Sequence, residues 1–155
     1  MGIYVDILQP SSDLNDALDS LGRKVGPLYA KAWEAKKKYY DDKPFDLHIN
    51  MFAMLWFDGN MKVFVVYDDR THEPVGFLTG VVFRPMPYKA SVFQIQEWYT
   101  TNQAIEDQLI THVISAIRIL GCDELWVQSY DGREINPGRA WKDGGNFSIR
   151  RYTKV

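Results

Sequence analysis

A single cysteine, Cys122, occurs in 155 residues. One thiol allows neither an intrachain disulfide nor a zinc cluster built from thiolates. His48, His72 and His112 are scattered, without metal-ligand spacing, so no metal site is expected. No stretch approaches the roughly 18 consecutive apolar residues of a membrane span. The opening "MGIYVDILQPSSDL" lacks a basic start and a long apolar run, and does not read as a signal peptide. Gly2 follows Met1, but Asp6 stands where a myristoylation pattern wants Ser or Thr. These absences make the cytoplasm the expected compartment, that of a cell or of a host synthesising a viral protein. The formal net charge of -2 gives no global pull toward nucleic acid or an anionic membrane. The basic tail "RRYTKV" is too short to argue otherwise. Repeats, low-complexity segments and linkers are also missing.

What is present is an ordinary globular composition, 46% hydrophobic and 25% charged, of a length that suits one domain over residues 1–155. Aromatic residues are plentiful at 14%, more than a core this small needs, so some are expected on a groove or an interface. Ile3 to Leu8 alternates as a strand. A helix should start at Ser12 or Asp13, with Leu14, Leu18, Leu21 and Val25 as its apolar stripe. Gly26-Pro27 should break it before a second helix carrying Leu28, Ala32, Ala35 and Tyr39 on one face. The lysines at 36–38 read as a solvated helix face. A short apolar helix from His48 closes at Asp58-Gly59-Asn60. Two strands flanking "DRTHEP" form a hairpin, and Ser91 to Thr100 is a third strand. That strand alternates Phe93, Ile95, Glu97 and Tyr99 against Gln94, Gln96 and Trp98. A long helix over 104–120 buries Ile105, Leu109, Val113, Ile117 and Leu120 and stops at Gly121. "DELWVQSY" is a strand, so a parallel crossover is expected. "NPGRAWKDGGNF" reads as a short helix ending at Gly144-Gly145, and "FSIRRYTKV" as a last strand.

In this order, four stretches resemble the GCN5-related N-acetyltransferase (GNAT) family. They are "MKVFVVYDDRTHEPVGFLTGVV", "VFQIQEWYT", "ITHVISAIRILGCDELWV" and "RAWKDGGNFSIRRYTKV", and together they carry the likeness over almost the whole chain. "PFDLHINMFAMLWFDGNMKVFVVYDD" is most similar to versions encoded by tailed bacteriophages. The resemblance implies an α/β fold, a mixed, mostly antiparallel sheet flanked by helices. It also implies an acetyl-CoA site between the fourth and fifth strands, which splay around the pantetheine arm. The family's turn into the following helix usually reads Arg/Gln-x-x-Gly-x-Gly/Ala, because glycine lets backbone N–H groups approach the pyrophosphate at a helix N-terminus.

Counted back from Gly121, that pattern should end near Glu106, yet the chain offers Gln103, Ala104, Ile105, Glu106 and Asp107. The glycines are gone and two acids stand in the first helical turn. Such acids suit the helix dipole and repel a diphosphate. On the resemblance, coenzyme contacts would fall on Trp98, Tyr99, Thr100, Thr101, Asn102, Gln103 and Ala104. Glu97 lies where the family often carries a general base; it equally reads as a sheet-edge residue or a partner of Arg84 or Lys89. Trp141 matches the family's acid-bearing Tyr position, but an indole N–H only donates and does not titrate usefully. Tyr130 or Tyr152 would have to replace it. Cys122, past a helix C-terminus, reads as a buried structural thiol, and His112 as a packed helix residue.

Two functions follow. One is a catalytically degenerate member without coenzyme, kept as a structural or interaction module, for example in a phage particle. It would work with protein partners, in a homo- or hetero-oligomer, and with neither nucleic acid nor membrane. The other is an active N-acetyltransferase that uses acetyl-CoA, with Glu97 as base.

Overall fold

"MKVFVVYD" is apolar at nearly every position, a pattern a strand tolerates when both of its faces are buried. The computed structural model, which describes residues 2–37, 49–85, 90–128, 135, 141–146 and 149–154, places this stretch near the middle of a sheet. The elements are β1 (Ile3–Ile7), α1 (Leu14–Lys24), α2 (Gly26–Lys36), α3 (Ile49–Phe57), β2 (Met61–Asp68), β3 (Pro74–Phe83), β4 (Val92–Thr100), α4 (Gln103–Ile119), β5 (Glu124–Gln128), β6 (Trp141–Asn146) and β7 (Ile149–Lys154). One seven-stranded sheet runs in the order β1-β2-β3-β4-β5-β7-β6. All neighbours are antiparallel except β4 and β5, which are parallel and joined by α4.

The alternation of β2 sorts its side chains onto two cores. Phe64 and Val66 meet α4 through Ile105, Leu109, Val113 and Ile117, together with Leu78, Phe93, Ile95 and Leu125. Val63, Val65 and Tyr67 meet α1, α2 and α3 through Leu21, Val25, Leu28, Ala32 and Trp56. The helices therefore cover both faces of the sheet, and its central strands are buried on both sides.

Local chemistry sets the boundaries. Asp13 caps α1, its carboxylate accepting from Asp16 N at 3.0 Å. The α1–α2 break falls at Val25, with Pro27 in the first turn of α2, where a missing N–H costs nothing. Asp68 turns β2 into β3 by accepting from Arg70 N at 2.8 Å and Thr71 N at 3.2 Å. Those two N–H groups hold its carboxyl below the ordinary Asp value. Gly121 sits at φ +81°, and the end of α4 is a Schellman motif: Cys122 N donates to Ile117 O and Gly121 N to Arg118 O, both at 3.0 Å.

Several sequence expectations need correction. Residues 141–146 are not helical: they form β6, antiparallel to β7, with an irregularity between Asp143 and Asn146 that absorbs Gly144-Gly145. Pairing with β7 overrides the local reading of the glycines as a helix stop. The α1 stripe is split: Leu21, Val25 and Ala17 are buried, whereas Leu14 is 53% exposed and Leu18 half-buried. Leu120 and His112 face solvent rather than the core. In α2, Leu28 and Ala32 are buried but Ala35 is exposed, and Tyr39 lies outside the described residues.

Candidate functional site

The site is built on an irregularity in β4. Thr79 of β3 pairs with Glu97, but the next residue, Gly80, pairs with Ile95. Gln96 is the extra residue of a β-bulge, and a bulge reverses the alternation beyond it. Phe93 and Ile95 point to the α4 core, and past the bulge Trp98 joins them there. Tyr99 instead packs on the α1–α3 side. Glu97 lies opposite Thr79, which alternates with Phe77 and Val81 of that same side. The expected face of Phe93, Ile95, Glu97 and Tyr99 is thus divided at Gln96. Gly80 allows the irregularity, since a Cβ there would fall inside the Phe93 ring.

The bulge also marks where β4 and β5 part. Their parallel register runs from Val92↔Glu124 to Ile95↔Val127 and stops. Beyond it β4 continues to Thr100 against β3 alone, while Gln128 of β5 pairs with Ile149 of β7. Among the described residues no strand fills the β5 side of β4 from Gln96 to Thr100. Trp98 and Trp126 lie on opposite faces of the sheet. Trp98 packs toward α4, and Trp126 sits edge-on to Phe83 at 5.5 Å.

Glu97 stands at this fork and is 2% exposed. Its Oε1 accepts from Trp98 N at 3.1 Å. β4 is an interior strand, but at Glu97 its β5 side carries no strand partner among the described residues, so the residue stands at a local edge. Arg84 is exposed, and Lys89 is outside the described residues. Opposite Glu97, Thr79 is fully buried, and the Tyr29 phenol lies beside its hydroxyl. Burial pushes the Tyr29 phenol above its ordinary value, partly offset by Thr79. Tyr29 also stacks on Phe77, with centroids 4.9 Å apart. The sequence reading missed Tyr29 and Thr79. The available signal was a lone hydroxyl residue inside the apolar strand "VGFLTGVV".

At the mouth of the fork, the turn into α4 is closed by its own side chains. Asn102 caps the helix, accepting from Ile105 N at 3.0 Å. Thr100 Oγ1 donates to Asn102 O at 3.0 Å. Trp98 Nε1 donates to Glu106 Oε1 at 2.6 Å. Gln103 Nε2 donates to Glu106 Oε2 at 2.8 Å and to Asp107 Oδ1 at 3.1 Å. Two carboxylates accept from that amide, so its nitrogen must face them. Of the expected coenzyme contacts, Thr101, Asn102, Gln103 and Ala104 are exposed at the head of α4. Tyr99 and Thr100 are half-buried, and Trp98 belongs to the core. Of the candidate catalytic groups, Tyr130 lies outside the described residues. Trp141 is on β6, and its backbone pairs with Lys154. Tyr152 is buried and donates to Ile135 O at 3.3 Å.

Solved structures share this arrangement. An aminoglycoside acetyltransferase from an uncultured soil metagenomic sample, in complex with sisomicin, superposes with a TM-score of 0.59 at 20% identity, covering 83% of this chain and 78% of its own. The fold is that of the GNAT acetyltransferases. A ribosomal-protein-alanine N-acetyltransferase from Brucella melitensis biovar Abortus 2308 gives 0.56 at 15% identity, covering 86% and 84%. A tetramutant protein from Bacillus halodurans gives 0.63 at 15% identity, covering 84% of each chain. No family model matches the sequence, and no curated protein does.

The GNAT fold implies acetyl-CoA, and the two halves of the site fit it unequally. Beyond Ile95, β4 has no β5 partner among the described residues, and unpaired strand backbone is what a pantetheine arm pairs with. The head of α4 does not suit a pyrophosphate. A phosphate about 5 Å from the Glu106 carboxylate would meet about 3 kcal/mol of repulsion per unit charge at an effective dielectric near 20. The described residues contain no group of three His, Cys, Asp or Glu able to hold a metal ion. No helix among them is long and apolar enough to cross a membrane.

Proposed function

We propose that this chain is a catalytically degenerate GNAT-fold protein that works as a structural or interaction module. The observation that carries this reading is the Trp98–Glu106–Gln103 hydrogen-bonded lock across the first turn of α4. It puts a carboxylate where a coenzyme diphosphate would need bare N–H groups and a glycine. Trp141 on β6 supports the same reading, because an indole supplies no titratable proton to a leaving thiolate. The likeness of residues 44–69 to phage-encoded members favours a phage particle as the setting, with protein partners in an assembly.

A second reading has its own support. The β4–β5 fork and the buried Glu97 opposite Thr79 would form the acceptor site of an active N-acetyltransferase using acetyl-CoA. Glu97 would then take the proton of an acceptor amine. The two readings separate in a thiol-release assay with acetyl-CoA and a panel of polyamines, aminoglycosides and N-terminal peptides. The module reading expects no release above the protein-free rate. Turnover that Glu97→Gln abolishes would establish the enzyme instead.

A further inference from the structure

Three of the exposed large apolar side chains sit together, far in sequence from the fork. Leu14, Met54 (67% exposed) and Phe57 line one groove between the start of α1 and the end of α3. Leu18, the buried Ala53 and Asp58 complete its lining, and it encloses about 350 Å³. Leu14 and Leu18 are one helical turn apart, as are Met54 and Phe57, so the two walls present matched apolar rows. These residues are not needed for the fold's own packing, since Ala17, Leu21 and Val25 anchor α1, and Phe52, Ala53 and Trp56 anchor α3. A clustered apolar surface of this kind marks an interaction site more often than chance exposure does. Its charged neighbours are acidic: Asp58 lines the groove, and Asp13 and Asp19 are exposed next to Leu14 and Leu18 on α1.

We propose that this groove docks an amphipathic helix of a partner protein, one whose apolar face is flanked by Lys or Arg. Two helix walls one to two turns long take a third helix through side chains at i and i+4. The aspartates select a basic flank over an acidic one and steer its approach. The inference rests on the interaction-module reading for its purpose, but the binding itself does not depend on whether acetyl-CoA binds.

The test uses two synthetic helical peptides of about 14 residues, four turns long, with the same leucine stripe. One carries lysines beside the stripe and the other glutamates. Each is titrated into isotope-labelled protein, with amide shifts and calorimetry as readouts. The lysine peptide should bind with Kd below about 1 mM, and shifts should concentrate at 13–19 and 52–58. The glutamate peptide should bind at least about tenfold more weakly. Met54→Gln and Leu14→Gln, both at exposed positions, should weaken the lysine peptide at least about tenfold with unchanged melting. Asp58→Asn should weaken it about threefold and flatten its salt dependence. Equal binding of both peptides, indifference to Met54→Gln, shifts elsewhere or no binding would overturn the proposal. So would a protein dimer that Met54→Gln dissolves, which would give the groove to a second copy. Acetyl-CoA titration is a separate readout, so coenzyme binding with the peptide result intact would sink the module reading and leave the groove.

Discussion

Removing the Glu106 carboxylate should reveal how firmly the α4 turn is locked. In Glu106→Ala the buried Trp98 indole loses a charged acceptor 2.6 Å away, and Gln103 loses one of its two carboxylates. A hydrogen bond to a charged group contributes roughly 1.5–3 kcal/mol. Loss of an acid from the first helical turn adds about 0.3–1 kcal/mol. The variant should therefore be less stable by about 2–4 kcal/mol, or by about 4–15 °C in Tm for a chain of this size. Glu106→Gln keeps a neutral acceptor and should lose less than half as much. Urea unfolding followed by tryptophan fluorescence measures both. A double-mutant cycle with Trp98→Phe isolates the pair, and about 1–2 kcal/mol of coupling is expected. Coupling below about 0.5 kcal/mol, or a neutral Glu106→Ala, would refute the lock and with it the main argument against a coenzyme at this turn.

Other substitutions probe the frame around the site. Gly121 has φ +81° with open space where a Cβ would stand, so Gly121→Ala should lose about 1–2 kcal/mol from backbone strain alone, and Gly121→Asn less. Equal urea midpoints would contradict this. Asp68 has a folded pKa below the ordinary 3.8, so its contribution is present above that value and lost as pH falls through the folded pKa. The stability gap between the wild type and Asp68→Asn should then be widest above pH 4 and close toward about pH 2. A gap independent of pH over that range would refute the assignment. Gly80→Ala should be strongly destabilising, because its methyl meets the Phe93 ring beside the bulge. Gly80→Ala with Phe93→Leu should recover part of the loss, and a double variant no better than the single would argue against the clash.

The element order was legible up to β5 because each of those elements carried a local signal. Ile105, Leu109, Val113 and Ile117 on one face of α4, the Asp13 cap and the glycine at 121 acted as read, and Leu120 did not. The fourth strand was legible as a strand but not in its facing, since a bulge needs a partner strand to define it and Gln96 has no turn chemistry of its own. That is why Glu97 was placed on the same face as Phe93 and Ile95, when its strand partner is Thr79. β6 was misread because Gly144-Gly145 is ambiguous between a helix stop and a strand irregularity until β7 is in place. At the α4 turn, the missing glycines and the two acids were visible in the sequence. The Trp98–Glu106 bond was not, because eight residues separate its partners and only the bulge turns the indole toward the helix.

The central claim is that the head of α4 does not accept a coenzyme diphosphate. Calorimetric titration of the intact protein with acetyl-CoA tests it most directly, with Thr101→Trp run in parallel. No saturable heat is expected up to millimolar acetyl-CoA in either protein. Micromolar binding by the wild type, abolished by Thr101→Trp, would contradict it and restore an acetyl-CoA site between β4 and β5.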